Sequence, residues 1–480
     1  MRLNRLDDTN HVAIIILHSF LYRFEADKMF THSRIKIAII GAGPVGSLCA
    51  CFMAENGYDV TVYESRTDIR LDKSTSGRSI NLALSERGIN ALRFIGLDNI
   101  VIEELTEPMY GRMIHSTDGN KYSIMYDINK SKCLFSISRK ELNEFLLTKL
   151  EKYPNVKLNF SHKLVDVDFN ANLLTFQKLL ENQQETVKPD IIIGCDGAHS
   201  IVRKHMIRLP MFNYSQTYID HGYFEISLPS TETKNTLTPG HLHIWPRSTF
   251  MLIALPNKDK SWTCTLFMPM DKFPSILESE REEILRFFNE YFKDFMDLIH
   301  PEHLLKQVKN GKARTLISIK CNPYHVNDNF LLLGDAAHAI VPFYGQGMNA
   351  GFEDCTILNQ LLEEYDHDFK TVIKNFSSRR IEDAEAISDL AFYNYIEMRD
   401  LVARKSFLWR KKIDNILNKW FPRTWIPLHS SVSFTTIGYK QCKLDNRWQD
   451  QVLFRMFILF ATFFSISLYF FASIMLKKLQ

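Results

Sequence analysis

Gly41, Gly43 and Gly46 are spaced as G-x-G-x-x-G, and Glu64 follows 21 residues after Gly43. Those residue types in that order suit a dinucleotide. Gly41 permits a tight turn, the bare backbone of Gly43 admits a pyrophosphate, and Gly46 lets a helix and a strand pack closely. A carboxylate placed like Glu64 accepts hydrogen bonds from the hydroxyls of an adenosine ribose. The glycines alone are a weak signal, since a tight turn in any α/β domain needs the same residue. Their setting makes the signal strong. Residues 35–40 form an apolar β-run, 44–54 a helix whose first N–H groups are free for an anion, and 59–63 a second strand that ends at the acid.

Two more apolar strands, 190–193 and 330–333, run into glycine-rich turns. The first reads Gly194-Cys-Asp196-Gly197-Ala-His-Ser200. The second reads Gly334-Asp335-Ala-Ala-His338 and continues as Pro342-Phe-Tyr-Gly345-Gln346-Gly347-Met348-Asn349-Ala-Gly351. Taken singly either is a turn. Taken with the first, in this order, they suit a flavin better than a nicotinamide, because FAD is long and needs contacts from distant segments. Asp335 has two readings, a helix cap or an acceptor for ribityl hydroxyls. Residues 345–351 can bring N–H groups and a helix N-terminus to the flavin pyrimidine edge, where positive potential stabilises the charge of reduced flavin. His338 reads as structural rather than as a base.

The 480 residues suffice for two or three domains with a large core, and the apolar and charged fractions are those of a globular protein. A net charge of +3 without a Lys/Arg-rich run excludes nucleic acid as the expected partner. Eight cysteines are scattered with no C-x-x-C pair, which speaks against zinc, any other metal centre or a dithiol pair, and for reduced intracellular thiols. The apolar run 12–17 is too short to span a bilayer. With Asp7 and Asp8 before it and no small-residue cleavage site after it, it is no signal peptide either. Residues 456–476 carry no charge and lie between Arg455 and the pair Lys477 and Lys478, so they are expected to be a transmembrane anchor, with the bulk of the chain on the cytosolic side.

The fold class expected is α/β: a Rossmann-like dinucleotide-binding domain with an inserted β-sheet substrate domain, C-terminal helices and a C-terminal transmembrane helix. Residues 1–33 are an N-terminal extension. The dinucleotide domain takes 34–205 and 321–369, the β-rich insertion 206–320, the helical region 370–455 and the anchor 456–476. A hairpin is expected over 109–126, turning at Asp118-Gly119, and a helix over 138–150 with Ser138 as cap and Glu141 three residues on.

The order of the strings GAGPVG, GCDGAHSIVR and GDAAHAIVPFYGQGMNAGFED resembles the FAD-dependent aromatic hydroxylases, the single-component flavoprotein monooxygenases. Residues 77–85, 112–116, 241–247 and 393–399 narrow the resemblance to the kynurenine-hydroxylating branch, and it runs from about residue 34 to the anchor. The resemblance implies that NADPH reduces FAD, that O2 adds at flavin C4a, and that the hydroperoxide delivers oxygen to the carbon ortho to the aniline nitrogen of L-kynurenine. The flavin carries that chemistry, so no catalytic side chain is assigned, and Pro342, Phe343 and Gln346 form the loop beside its reactive face. Arg112 and Tyr126 would hold the substrate carboxylate and Asn394 the same amino-acid end. Without the resemblance, Arg112 reads equally well as a surface strand residue. The family has a tyrosine near the pocket where this chain has His429.

For FAD the resemblance adds Val45, Arg66, Ala83, Arg139, Leu164, Gly347, Met348 and Asn349 to Gly41, Gly43, Gly46, Glu64 and Asp335. Arg139 retains a second reading on the helix surface. Asp196 stays open between FAD and NADPH. No second G-x-G-x-x-G exists, so NADPH is expected as a transient co-substrate. The family sits at the mitochondrial outer membrane through its C-terminal part. Two other readings compete: a membrane flavoenzyme acting on a lipid, such as an epoxidase or polyprenyl reductase, and a non-catalytic Rossmann-like binding protein. A carboxylate clamp argues against the first, and the Asp335 loop against the second. The sequence does not decide the oligomeric state.

Overall fold

The strand Lys36–Ile40 lies in the middle of a six-stranded sheet. The order is His325–Val326, Phe330–Leu332, Ile191–Gly194, Lys36–Ile40, Asp59–Tyr63 and Val156–Asn159, all parallel but the first. The chain, a computed structural model, is described at residues 35–71, 81–127, 131–230 and 237–479; the expected extension 1–33 and residues 77–80 of the 77–85 string lie outside these. Ile37, Ala38, Ile39 and Ile40 are all buried, as a strand covered on both faces requires. Each of the three isoleucine side chains removed from water contributes about 1.5–3 kcal/mol.

Sheet order explains why three distant turns meet. The next strand in sequence, Asp59–Tyr63, pairs on one side of Lys36–Ile40, and Ile191–Gly194 pairs on the other. That makes the C-terminal end of Lys36–Ile40 a topological switch point, where a crevice opens. The turns at 41–46, 194–197 and 334–335 follow three strands that are neighbours in the sheet. Backbone hydrogen bonds tie them at the rim, Cys195 N to Ile40 O at 2.7 Å and Leu333 N to Gly194 O at 3.0 Å.

A seven-stranded sheet stands across the crevice, in the order Arg314–Asn322, Asn213–Leu228, Trp262–Pro269, Phe250–Pro256, His241–Arg247, Gly111–His115 and Lys121–Met125. The hairpin 111–125 turns at Gly119 (φ +85°) as the sequence suggests. It joins this sheet, however, through parallel pairing of Gly111–His115 with His241–Arg247, although the sequence groups it with 34–205. Side chains alternate in direction along these strands. Met251, Ile253, Leu255, Thr265 and Phe267 line the crevice, while Leu252, Ala254, Cys264 and Leu266 pack under the helices Arg281–Tyr291 and Pro301–Asn310.

The helices Gly347–Glu364 and Phe369–Arg399 close the remaining side. Ser138 caps Arg139–Leu150, accepting from Glu141 N at 3.3 Å. The last helix, Tyr439–Leu479, has 41 residues and is about 60 Å long at 1.5 Å per residue. Its apolar side chains stand in the open, Phe457 and Phe460 at 69% exposure and Phe463 at 71%. It is the one helix among the described residues that is long and apolar enough to cross a membrane.

Candidate active site

The dinucleotide turn is built as its glycines require. Gly41 has φ +102°, and a Cβ there would lie 2.5 Å from the Cys195 carbonyl oxygen. A Cβ on Gly46 would run into the Gly41 carbonyl. Gly43 differs: a Cβ there meets nothing within 4 Å, and the same holds at Gly197 and Gly347. All three line one crevice with Pro44, Val45, Ala83, Arg139, Asp335 and Met348. The helix Pro44–Glu55 begins there, with proline in its first turn, so its leading N–H groups are free for an anion. Asp335 offers a carboxylate with no hydrogen-bond partner among the described residues. Open space at bare backbone, a helix N-terminus and an unpartnered carboxylate fit FAD.

Glu64 is buried with its carboxylate held at the turn. It accepts from Ala42 N at 2.9 Å and from Arg66 N and Nε at 2.9 and 2.8 Å. Burial alone would raise its pKa, but the contacts from Arg66 and Ala42 bring it below its ordinary value.

Other residues singled out in the sequence stand behind the wall rather than on it. Asn349 is fully buried; it accepts from Ser85 N at 2.9 Å and donates to Ala83 O and Gly345 O, both at 2.8 Å, so it fastens the strand Asn81–Leu84 to the glycine loop. Gln346 is also buried, accepting from the Tyr439 hydroxyl at 3.0 Å. The Leu164 side chain points into the core. Asp196 uses Oδ2 to accept from Ile201 N at 2.6 Å and Val202 N at 3.3 Å at the start of a short helix. His338 lies behind the loop and meets Asp354 through Nε2 at 2.7 Å. Asp354 also accepts from Gly334 N at 2.8 Å and Arg380 Nε at 2.5 Å. Burial would raise its pKa, but the charges of His338 and Arg380 outweigh that and hold it far below the carboxylate range.

The other end of the crevice is lined by Arg112, Tyr126, Pro342, Phe343, Tyr344, Asn394, Met398 and His429. Arg112 comes from the seven-stranded sheet, 4% exposed, and meets Glu397 Oε1 through Nη1 at 2.7 Å. Its Nη2 is 3.5 Å from Asn394 Oδ1, and its Nε has no partner among the described residues. The buried Tyr126 hydroxyl is likewise without a hydrogen-bond partner among them. Asn394 donates to Phe343 O at 2.7 Å and so fixes the Pro342–Tyr344 turn. His429 stacks on Tyr126 (4.9 Å, 14°) and Tyr344 (5.9 Å, 15°). Burial, reinforced by the charges of Arg112 and Lys411, drives its pKa well below the ordinary value, so the ring is neutral. Burial and then Arg112 lower Lys411 to about 8.

Glu397 and Lys411 carry no role in the sequence reading. The spacing of Asn394 and Glu397, three apart on one helix face, was the available signal for Glu397. Chemically, the two ends of the crevice join a dinucleotide cradle to a buried cation with one free edge.

The family model described as FAD binding domain matches residues 34–391. Kynurenine 3-monooxygenase of Anopheles gambiae is 47% identical over 88% of this chain and 87% of its own length. The Sus scrofa enzyme of the same name is 46% identical over 90% of this chain and 91% of its own length. Among solved structures, PqsL of Pseudomonas aeruginosa in complex with 2-aminobenzoylacetate shares the fold, with a TM-score of 0.62 at 17% identity over 77% of this chain and 97% of that one. The chain therefore belongs to the kynurenine 3-monooxygenase family of FAD-dependent monooxygenases, and it is an enzyme of that class.

Proposed function

We propose that this enzyme hydroxylates L-kynurenine to 3-hydroxykynurenine, with NADPH as electron donor and O2 as oxygen source. The observation that carries this reading is the buried Arg112, whose Nε is unpartnered beside the orphaned Tyr126 hydroxyl in the crevice that Gly43 and Asp335 also line. Glu397 occupies Nη1, which leaves the Nε–Nη2 edge for a carboxylate in a two-bond grip. Glu397 in turn is an anion for the α-ammonium of the same amino acid. A lipid substrate would leave the Arg112 Nε and the Tyr126 hydroxyl without partners in a buried site.

Bound FAD would pass the electrons of NADPH to O2, so that one oxygen atom goes to the ring and the other leaves as water. The protein contributes position and dryness. Arg112, Tyr126 and Asn394 hold the amino-acid end, and Pro342 and Phe343 with Met251, Ile253 and Phe267 surround the ring and keep water away. Gly41, Gly43, Val45, Gly46, Glu64, Arg66, Ala83, Arg139, Leu164, Asp335, Gly347, Met348 and Asn349 serve the cofactor, Asn349 by fastening the loop and Leu164 by its backbone. NADPH visits the open side of the crevice transiently. We also assign the C-terminal helix to the mitochondrial outer membrane, with the catalytic part facing the cytosol. We assign 34–205, less the hairpin 111–125, and 321–369 to the dinucleotide domain, and 206–320 with that hairpin to the substrate sheet.

The test is NADPH oxidation by the detergent-solubilised protein with and without L-kynurenine. Strong stimulation with formation of the 3-hydroxy product is expected. Stimulation by a polyprenyl lipid and none by kynurenine would overturn the reading.

A further inference from the structure

Two histidines in the stretches 112–116 and 241–247 have no part in holding cofactor or substrate. Arg112 and His115 are three apart on the strand Gly111–His115, so they point to opposite faces of the seven-stranded sheet. Arg112 lines the crevice, whereas His115 is buried on the rear face against His243 and Trp245 of the neighbouring strand. His115 Nδ1 lies 2.5 Å from Oδ2 of Asp294, on the short helix Lys293–Met296. Its Nε2 lies 2.8 Å from His243 Nδ1, and His243 Nε2 lies 2.8 Å from Thr238 O. Trp245 stacks on the His115 ring (4.0 Å, 24°) and donates from Nε1 to Asp294 Oδ1 at 2.8 Å.

These groups form one chain whose two ends are acceptors, a carboxylate and a carbonyl. Its three contacts need three hydrogens, while two neutral imidazoles bring two. A third proton is required. Burial would raise the Asp294 carboxyl, but His115, Trp245 and Lys121 outweigh it and hold the group far below its usual range, so Asp294 does not carry that proton. Burial pushes His243 down to about 3, so that ring is neutral. The proton is left to His115, which then donates from both nitrogens while its cationic ring lies on the face of Trp245. Lys121, Arg247 and His241 are the other charged or titratable groups that act on the two rings. Burial of His115, weighed only against the pull of Asp294, favours its neutral form. The contacts reverse that order, because a neutral His115 sets two acceptors against each other at 2.8 Å or less somewhere along the chain.

We propose that Asp294, His115 and His243 hold one proton as a clamp that positions Arg112 for the substrate carboxylate. The clamp works near a sheet edge. Gly111–His115 carries only the strand Lys121–Met125 on its outer side, and four residues of His241–Arg247 pair with it on the other. The chain bonds the end of that strand to its neighbour and to the helix Lys293–Met296 at once, and Arg247 Nη1 adds a bond to His115 O at 3.0 Å. Loss of the proton breaks one contact and loosens the strand three residues from Arg112. This role rests on the reading of Arg112 as the grip for the carboxylate.

The experiment compares the full-length, FAD-loaded, detergent-solubilised parent with Asp294→Asn and Asp294→Ala from about pH 6.5 to 9. In Asp294→Asn the amide donates to His115 Nδ1 and accepts from Trp245, so the chain is complete with two neutral imidazoles. The unfolded chain gives up its histidine protons near about 6.5. Above that pH the folded parent holds one proton more and loses stability as pH rises, until the clamp itself deprotonates. In denaturant titrations the unfolding constant of the parent should therefore rise against that of Asp294→Asn by up to about tenfold per pH unit. Lys411 and the remaining groups titrate in both proteins, so the difference isolates the clamp. At about pH 6.5 Asp294→Asn should keep the parental KM for L-kynurenine, and Asp294→Ala should raise it roughly tenfold with kcat and flavin content unchanged. The same pH response in parent and Asp294→Asn would show that no extra proton is held and overturn the proposal. A parental KM in Asp294→Ala would overturn the positioning role. Should Asp294→Ala not fold, the ratio of parental to Asp294→Asn KM decides: it should grow with pH, and a constant ratio overturns the proposal. No kynurenine turnover by the parent would refute the Arg112 reading and the positioning role with it, while the titrations still test the proton itself.

Discussion

Replacing Arg112 with methionine should separate substrate binding from cofactor binding. The Nε–Nη2 edge of Arg112 is the part not taken by Glu397, and it can carry two charge-assisted hydrogen bonds to a carboxylate. At about 1.5–3 kcal/mol each, their loss lowers kcat/KM by roughly 10²- to 10⁴-fold. The grip is made in the ground state, away from the reacting carbon, so most of the loss should appear in KM. Arg112 belongs to the far end of the crevice from Gly43, so flavin content should not change. A second consequence concerns stability. The Glu397 side chain is only 13% exposed, and removing its partner strands a carboxylate at a cost of about 3–5 kcal/mol. Arg112→Met/Glu397→Gln should recover most of that stability without recovering KM. Steady-state kinetics, flavin absorbance and thermal melts of the two variants measure the three quantities. An unchanged KM, or loss of FAD from Arg112→Met with normal kinetics in the fraction that retains it, would refute the reasoning.

Gly43 and Gly41 should respond differently to alanine. Gly43→Ala adds a Cβ where the protein has nothing within 4 Å, so the apoprotein should melt normally while FAD affinity falls; Gly41→Ala meets the Cys195 carbonyl at a positive φ and should lower the apoprotein melting temperature. Asp354→Asn removes a charge from between His338 and Arg380 and should destabilise the fold by about 3–5 kcal/mol in denaturant titrations. Because the Asp354 pKa is depressed in the folded state, its contribution is present above the unfolded value near 3.8 and is lost as pH falls toward the folded one. The variant should therefore lose less stability on acidification than the parent. Lys411, lowered to about 8, is charged below that pH and neutral above it, so kcat/KM for a substrate gripped by its carboxylate should fall as pH rises through 8, and Lys411→Met should flatten that limb. The unfolded chain keeps that proton up to about 10.5, so over the same range Lys411 makes the fold more stable with rising pH.

The dinucleotide cradle was legible because glycine has no substitute there. Gly41 at φ +102°, Gly46 against the Gly41 carbonyl and Gly43 beside open space each serve a separate steric need, and the strands around them are uniformly apolar. The capped helix at Ser138 and the turn at Gly119 are likewise local, decided within a few residues. What the sequence hides is non-local. The hairpin 111–125 pairs with His241–Arg247, more than 100 residues away, and strand patterning carries no record of the partner. Glu397 and Lys411 could not be assigned for the same reason. Their meaning comes from Arg112, which reaches them only once the sheet and the C-terminal helices are packed together. Asn349 and Gln346 sit in the string that suggests flavin contact, yet their amides hold the loop from behind, a distinction set by side-chain direction alone.

The most direct measurement is a titration of the FAD-loaded protein with L-kynurenine, followed through the flavin absorption band, beside the same titration with the decarboxylated amine. A saturable spectral change with kynurenine, and a far weaker affinity for the amine, is the expected result if one crevice holds the flavin and Arg112 grips the carboxylate. Equal affinities for the two compounds, or no flavin response to either, would contradict the account.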